Sequence, residues 1–69
     1  MIKELNSLFP TGTRISNKEL KIRLQQLYKK YGIDAVAKAV DITRFGYKVK
    51  AIKISTNEGR LNGLELTIN

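Results

Sequence analysis

Residues 16–32 read SNKELKIRLQQLYKKYG, the strongest structural signal in the chain. Ser16 with Glu19 fits a capping box, in which the serine hydroxyl accepts from the Glu19 amide and the glutamate side chain returns to the Ser16 amide. Ile15 before the cap and Leu20 at the fourth helical position match a hydrophobic staple. Leu20, Leu24, Leu27, Tyr28 and Tyr31 follow at i, i+4, i+7, i+8 and i+11, one apolar stripe facing a core. Lys29 and Lys30 complement the dipole in the last turn, and Gly32 supplies a left-handed cap. The spacing predicts a helix over 17–31, with Tyr28 and Tyr31 in the core rather than stacked on bases. Ile22 lies off the stripe, so it either meets another element or is exposed.

Before this helix, Ile2, Leu5, Leu8 and Phe9 fall at helical spacing until Pro10 ends the pattern. Thr11-Gly12 turns the chain, and Thr13-Arg14-Ile15 is extended and short, an edge strand. After it, Ile33-Asp34 reads as a tight connection with Asp34 capping a further helix over 35–45. Val36, Ala37, Val40 and either Ile42 or Phe45 form the expected buried side of that helix, and Gly46 ends it. Two helices joined by about two residues around a glycine make a helix-turn-helix pair. Tyr47 to Ser55 is strand-like, with Lys48, Lys50 and Lys53 interleaved among Val, Ile and Tyr. Its alternation slips between Ala51 and Ile52, which predicts a bulge. Thr56-Asn57-Glu58-Gly59 opens a turn-rich segment of about seven residues, and Leu64, Leu66 and Ile68 alternate as a half-buried strand that closes an antiparallel hairpin.

The chain has 69 residues, 42% hydrophobic and 28% charged, so it reads as a single domain with enough apolar content to collapse. It contains no Cys and no His, which removes disulfides, Cys/His zinc sites and imidazole or thiol catalysis. Glu4, Glu19, Asp34, Asp41, Glu58 and Glu65 are scattered over separate elements without metal-binding spacing, so no enzyme, metal or cofactor is expected. Lys and Arg number 13 against 6 Asp and Glu, a net charge of +7, with an isoelectric point near 10.0. Such a charge points to a polyanionic partner, nucleic acid ahead of a membrane surface. No apolar run approaches the ~20 residues that span a bilayer. The N-terminal MIKELNSLFP carries an acidic residue and no apolar core segment, so it does not read as a signal peptide. A cytoplasmic location is the expectation.

The expected order is helix, short strand, helix, turn, helix, strand, loop, strand. That α+β succession resembles the winged-helix fold, a three-helix helix-turn-helix core with a C-terminal antiparallel hairpin as the wing. The run YKKYGIDAVAKAVDITRFGYKVKAIKI (28–54) followed by GRLNGLEL (59–66) is similar to the C-terminal domain of phage and mobile-element replication proteins of the primase-helicase type. The similarity lies in Tyr31, Gly32, Ile33, Ala37, Lys38, Ala39, Asp41, the basic strand, and Arg60, Asn62 and Gly63. It implies a duplex-DNA-binding domain of a larger replication protein, acting in origin recognition or DNA tethering.

In helix-turn-helix proteins the second helix of the pair lies in the major groove. Here its exposed side is expected to present Lys38, Asp41, Thr43 and Arg44. Arg and Lys can read guanine, and Thr can touch a phosphate or a thymine methyl. Asp41 fits beside phosphates only if it pairs with Lys38 or Arg44 or accepts from a cytosine amine. Lys48, Lys50 and Lys53 extend the basic surface along the hairpin, with Arg60 and Asn62 near the wing tip. Each has a plainer reading: interleaved lysines also guard an exposed sheet edge, Lys18, Lys21, Lys29 and Lys30 make a solvated helix face, Arg14 is surface, and Tyr47 either packs or contacts a sugar. The competing function is a protein-interaction module, an accessory subunit of a replication or transcription complex docking through the hairpin edge or Ile22. A membrane-surface helix is disfavoured, because the best helix spends its apolar face on the core.

Overall fold

The computed structural model describes residues 1–69. α2 (Asn17–Lys30) is the central element, and Ser16 Oγ caps it by accepting from the Glu19 amide at 3.1 Å. Only half of the capping box forms, because the Glu19 carboxylate turns along the helix to Arg23 Nε at 3.1 Å. Leu20, Leu24, Leu27 and Tyr28 are buried. Gly32, at φ +71°, ends the helix in a Schellman arrangement: Ile33 N donates to Tyr28 O at 2.8 Å and Gly32 N to Lys29 O at 3.2 Å. Tyr31 is corrected from core to surface. It lies past the last helical residue, is 44% exposed, and its hydroxyl donates to Glu4 Oε1 at 2.6 Å.

α1 (Ile2–Leu8) buries Leu5, and Phe9 is buried just beyond it, while Ile2 and Leu8 remain exposed. A helix this short is unstable alone. The Tyr47 hydroxyl holds its end, donating to Phe9 O at 2.6 Å with Asn6 Oδ1 2.9 Å away. Tyr47 is therefore a core residue, and burial pushes its phenol pKa up.

β1 (Thr13–Ser16), β2 (Tyr47–Thr56) and β3 (Gly59–Ile68) form an antiparallel sheet in the order β1-β3-β2, with β1 at an edge as expected. The fold is α+β: two α-helices, a short 3-10 helix and this sheet. The register of β2 on β3 runs without interruption from Tyr47↔Ile68 to Thr56↔Gly59, so the expected bulge is absent and the loop narrows to Asn57-Glu58. The slip in apolar phase has another cause. Tyr47 shares the helix-facing side of the sheet with Leu66, whereas Ile52 and Ile54 lie on the opposite face, where Ile54 crosses the bare backbone of Gly63. A Cβ at residue 63 would stand 2.5 Å from Ile54 Cδ1 and 2.7 Å from Ile15 O, so only glycine fits between the two.

The largest departure from expectation concerns residues 33–45. Instead of an α-helix from Ala35, the chain is irregular as far as Lys38, and a 3-10 helix follows over Ala39–Phe45, closed by Gly46 at φ +91°. The helix-turn-helix pair joined by two residues is thus corrected to α2, an extended connection and a short 3-10 helix. Asp34 is exposed and caps nothing. Gln25 competes with helix formation: its Nε2 donates to Ala35 O at 3.0 Å and its Oε1 accepts from Ala37 N at 2.9 Å. These bonds tie alternate residues of the connection to α2 as a neighbouring strand would. The cap is the Asp41 carboxylate, whose Oδ2 accepts from the Lys38 amide at 3.0 Å.

Winding of three residues per turn also selects the buried row. Ala39, Ile42 and Phe45 face the core, joined by Ala37, while Val36 and Val40, expected inside at α-helical spacing, are 80% and 65% exposed. Gln25→Ala is expected to lower stability by roughly 1–2 kcal/mol, the cost of leaving the part-buried Ala37 amide unpaired. Thermal unfolding and amide exchange at Ala37 measure it; an unchanged melting temperature with Ala37 still protected would show that the amide pair does not hold the connection.

Candidate nucleic-acid interface

The 3-10 helix divides its side chains into three rows. One row is the core row already described. A second runs Lys38, Asp41, Arg44, with both cations exposed and the carboxylate between them buried. The third, Val40 and Thr43, stands farthest out, and Thr43 Oγ1 donates back to Val40 O at 2.8 Å.

The expectation that Asp41 is exposed is corrected. Its Oδ2 accepts from the Lys38 amide and from the Tyr28 hydroxyl, both at 3.0 Å. The Lys38 amide is the main cause holding its carboxyl below the usual aspartate value; burial opposes this, and the Tyr28 hydroxyl and the Arg44 and Lys38 charges add to it. Tyr28 is pushed up, first by burial and then by the same carboxylate, and its ring meets Phe45 edge-on at 6.3 Å. Asp41 is thus a structural anion that leaves Lys38 and Arg44 outside and unopposed by an exposed carboxylate of their own row.

The remaining predicted residues fall on the β2–β3 ribbon, where alternation splits them. Lys48 and Lys50 lie on the face turned away from the helices, in register with Thr67 and Glu65. Glu65 stands between Lys50 and Arg14 across the sheet and pairs with Arg14 Nε at 3.3 Å. Lys53, Asn62 and Arg60 share the other face, the one that carries Tyr47 and Leu66 toward the helices, but lie beyond the core toward the ribbon tip. Lys53 Nζ donates to Asn62 Oδ1 directly across the strands. The eight predicted residues therefore fall in three places: Lys38, Thr43 and Arg44 at the 3-10 helix, Lys53, Arg60 and Asn62 on the helix-facing side of the ribbon near its tip, and Lys48 and Lys50 on the reverse.

Charge pairing is unevenly distributed. The ion pairs are Arg14–Glu65, Arg23–Glu19 and Lys30–Glu4, on β1–β3, α2 and the α1–α2 contact. Glu4 is held low chiefly by Lys30, then by the Tyr31 hydroxyl, and Lys30 is correspondingly raised. Lys38, Arg44, Lys48, Lys50, Lys53 and Arg60 form no ion pair. Lys18, Lys21 and Lys29 are exposed along α2, as a solvated helix face requires.

Gln25 and Tyr28 position this surface, and sequence reasoning assigned neither that role. Gln25 sits beside the apolar stripe as an ordinary polar residue, and Tyr28 reads as simple core. No short-range pattern announces partners 10 to 13 positions away. No helix is long and apolar enough to cross a membrane, and no three acidic groups gather as a metal would require. Comparisons with protein-family models, curated proteins and solved structures found no match.

Because the folded pKa of Asp41 lies below its unfolded value of 3.8, the stability it confers is complete above that value and is lost as pH falls through the depressed one. Asp41→Asn is expected to cost about 1 kcal/mol at pH 7, the difference between charged and neutral hydrogen bonding. Urea unfolding at a series of pH values should show the gap between variant and parent closing under strong acid. A gap independent of pH would mean that the charge of Asp41 contributes nothing.

Proposed function

We propose that this chain is a winged-helix domain that binds duplex DNA. The element order and the sheet order β1-β3-β2 support the first half: helix, strand, helix, helix and a long hairpin built onto a three-stranded antiparallel sheet. The observation that carries the second half is the surplus of unpaired cations. Lys38 and Arg44 at the 3-10 helix and Lys53 and Arg60 on the helix-facing side of the ribbon are without ion-pair partners, while the carboxylates of Glu4, Glu19 and Glu65 are neutralised by Lys30, Arg23 and Arg14. A polyanion is the partner such a surplus attracts.

Under this reading the 3-10 helix approaches the major groove and the ribbon tip follows the backbone or the adjacent minor groove. Phosphate contacts by lysine and arginine position the protein, and Asn62 adds a neutral donor and acceptor near the tip. Lys48 and Lys50 face away and contribute only to the long-range field. The likeness to replication-protein C-terminal domains suits this mode: a domain burying only about 600–1,000 Å² binds weakly by itself and gains from tethering to a larger protein. The role in a phage or mobile-element replication protein would be origin recognition or DNA tethering, without catalysis. Exposed Val36 and Val40 favour one rival, a protein-interaction module docking through the same segment.

Duplex binding across a salt series separates the two. Neutralisation of about five phosphates gives a log–log slope of roughly −4 to −5, and a protein partner gives no such dependence on DNA. Lys38→Ala with Arg44→Ala is expected to weaken duplex binding more than tenfold at moderate salt with the melting temperature nearly unchanged. Lys53→Ala with Arg60→Ala should cost more than Lys48→Ala with Lys50→Ala. Equal losses from the two ribbon pairs would show that both faces touch the duplex, and full binding by the Lys38/Arg44 variant would move the interface off the 3-10 helix.

A further inference from the structure

Few side chains on the molecule are as apolar and as open as those on the outermost row of the 3-10 helix. Val40 is 65% exposed, and Val36, just before the helix, is 80% exposed, although both belong to a chain whose other valine, Val49, is only 39% exposed. Thr43 joins Val40 on this row, one 3-10 turn on, and is less polar than its type suggests. Its hydroxyl proton is already spent on Val40 O at 2.8 Å, so what it offers a partner is its methyl group and an oxygen that can only accept. Lys38 and Arg44 stand on the adjacent row, both along one side of this one, and are free to hold phosphates there. The surface is therefore a largely apolar ridge beside two cations, with no hydrogen-bond donor of its own and the Thr43 oxygen as its one side-chain acceptor.

We propose that the Val40–Thr43 ridge reads the C5-methyl groups of thymines in the major groove; this rests on the duplex-DNA reading given above. The thymine methyl is the one apolar feature that a base edge presents there, and it is met by small aliphatic side chains and the threonine methyl. Spacing agrees. Residues three apart in a 3-10 helix are separated by about 6 Å along its axis, close to the ~7 Å of two base-pair steps. Guanine and adenine recognition would need a bidentate donor or acceptor on this row, and the row has none.

Replacing thymine by deoxyuridine removes only the methyl. The test uses an alternating A·T duplex of 20 base pairs, the same duplex with deoxyuridine throughout, and a G·C duplex, titrated with the 69-residue chain by fluorescence anisotropy at fixed salt. Burial of a methyl-sized group contributes about a fourfold factor, so two contacts predict roughly a 16-fold preference for thymine over deoxyuridine. Val40→Ala with Thr43→Ser removes methyls and keeps the Thr43 hydroxyl. It is expected to bind the thymine and deoxyuridine duplexes equally, with the salt slope of the parent and an unchanged circular dichroism spectrum. Equal binding of the two duplexes by the parent, with a steep salt slope, would overturn the ridge assignment and leave duplex binding standing. Failure to bind any duplex would overturn the duplex reading itself. Retention of the thymine preference by the double variant would place the methyl contact on other residues and so also overturn the assignment.

Discussion

One oxygen atom, Oδ2 of Asp41, fastens the 3-10 segment to α2. It accepts from the Tyr28 hydroxyl on the helix and from the Lys38 amide at the start of the 3-10 segment, so a single buried anion both docks that segment and starts its winding. A buried carboxylate is costly without partners and strongly held with two charge-assisted ones. Gln25 completes the attachment upstream by taking the backbone groups of Ala35 and Ala37. With both ends held, Ala39, Ile42 and Phe45 enter the core as a row of every third residue, and everything else on the segment is turned outward.

The outward residues acquire their character from this arrangement. Had the segment wound as an α-helix with Val36 and Val40 inside, its exposed face would have mixed Lys38 and Arg44 with an open Asp41 carboxylate. Instead the carboxylate is inside, the two cations stand exposed on either side of it along their row, and the valines are exposed as well. The same interaction thus organises the packing and removes the one negative charge that a polyanion would meet on this row. On the ribbon, unbroken register has a comparable effect, since it puts Lys53 and Arg60 on the side of the helices and leaves Lys48 and Lys50 behind, next to Glu65.

Legibility in the sequence followed the range of the interactions. α2 was readable almost residue by residue, because capping, apolar period and glycine termination act within four or five positions of one another. The edge strand, the hairpin and the glycine after Phe45 were readable for the same reason. The expected bulge and the expected α-helix over 35–45 are absent because local pattern is not the whole cause of structure there. An apolar phase shift in β2 marks a change in which face is covered, not an extra residue. Ala-Val-Ala-Lys-Ala-Val has adequate helix propensity, but propensity is weaker than paired backbone groups supplied by a distant glutamine. The basic side chains of the candidate surface were all visible in the sequence; their division between two faces was not.

By itself, then, the amino-acid sequence determined composition and charge, the extent of α2, the turn positions and the pairing of the last two strands, all consequences of chemistry between near neighbours. Tertiary structure alone decided the 3-10 winding of Ala39–Phe45, the burial of Asp41, the exposure of Val36 and Val40, and which cations face together. These depend on contacts between residues far apart in the chain, where the free energy of one buried hydrogen-bonded carboxylate outweighs the small helix propensities of the residues around it.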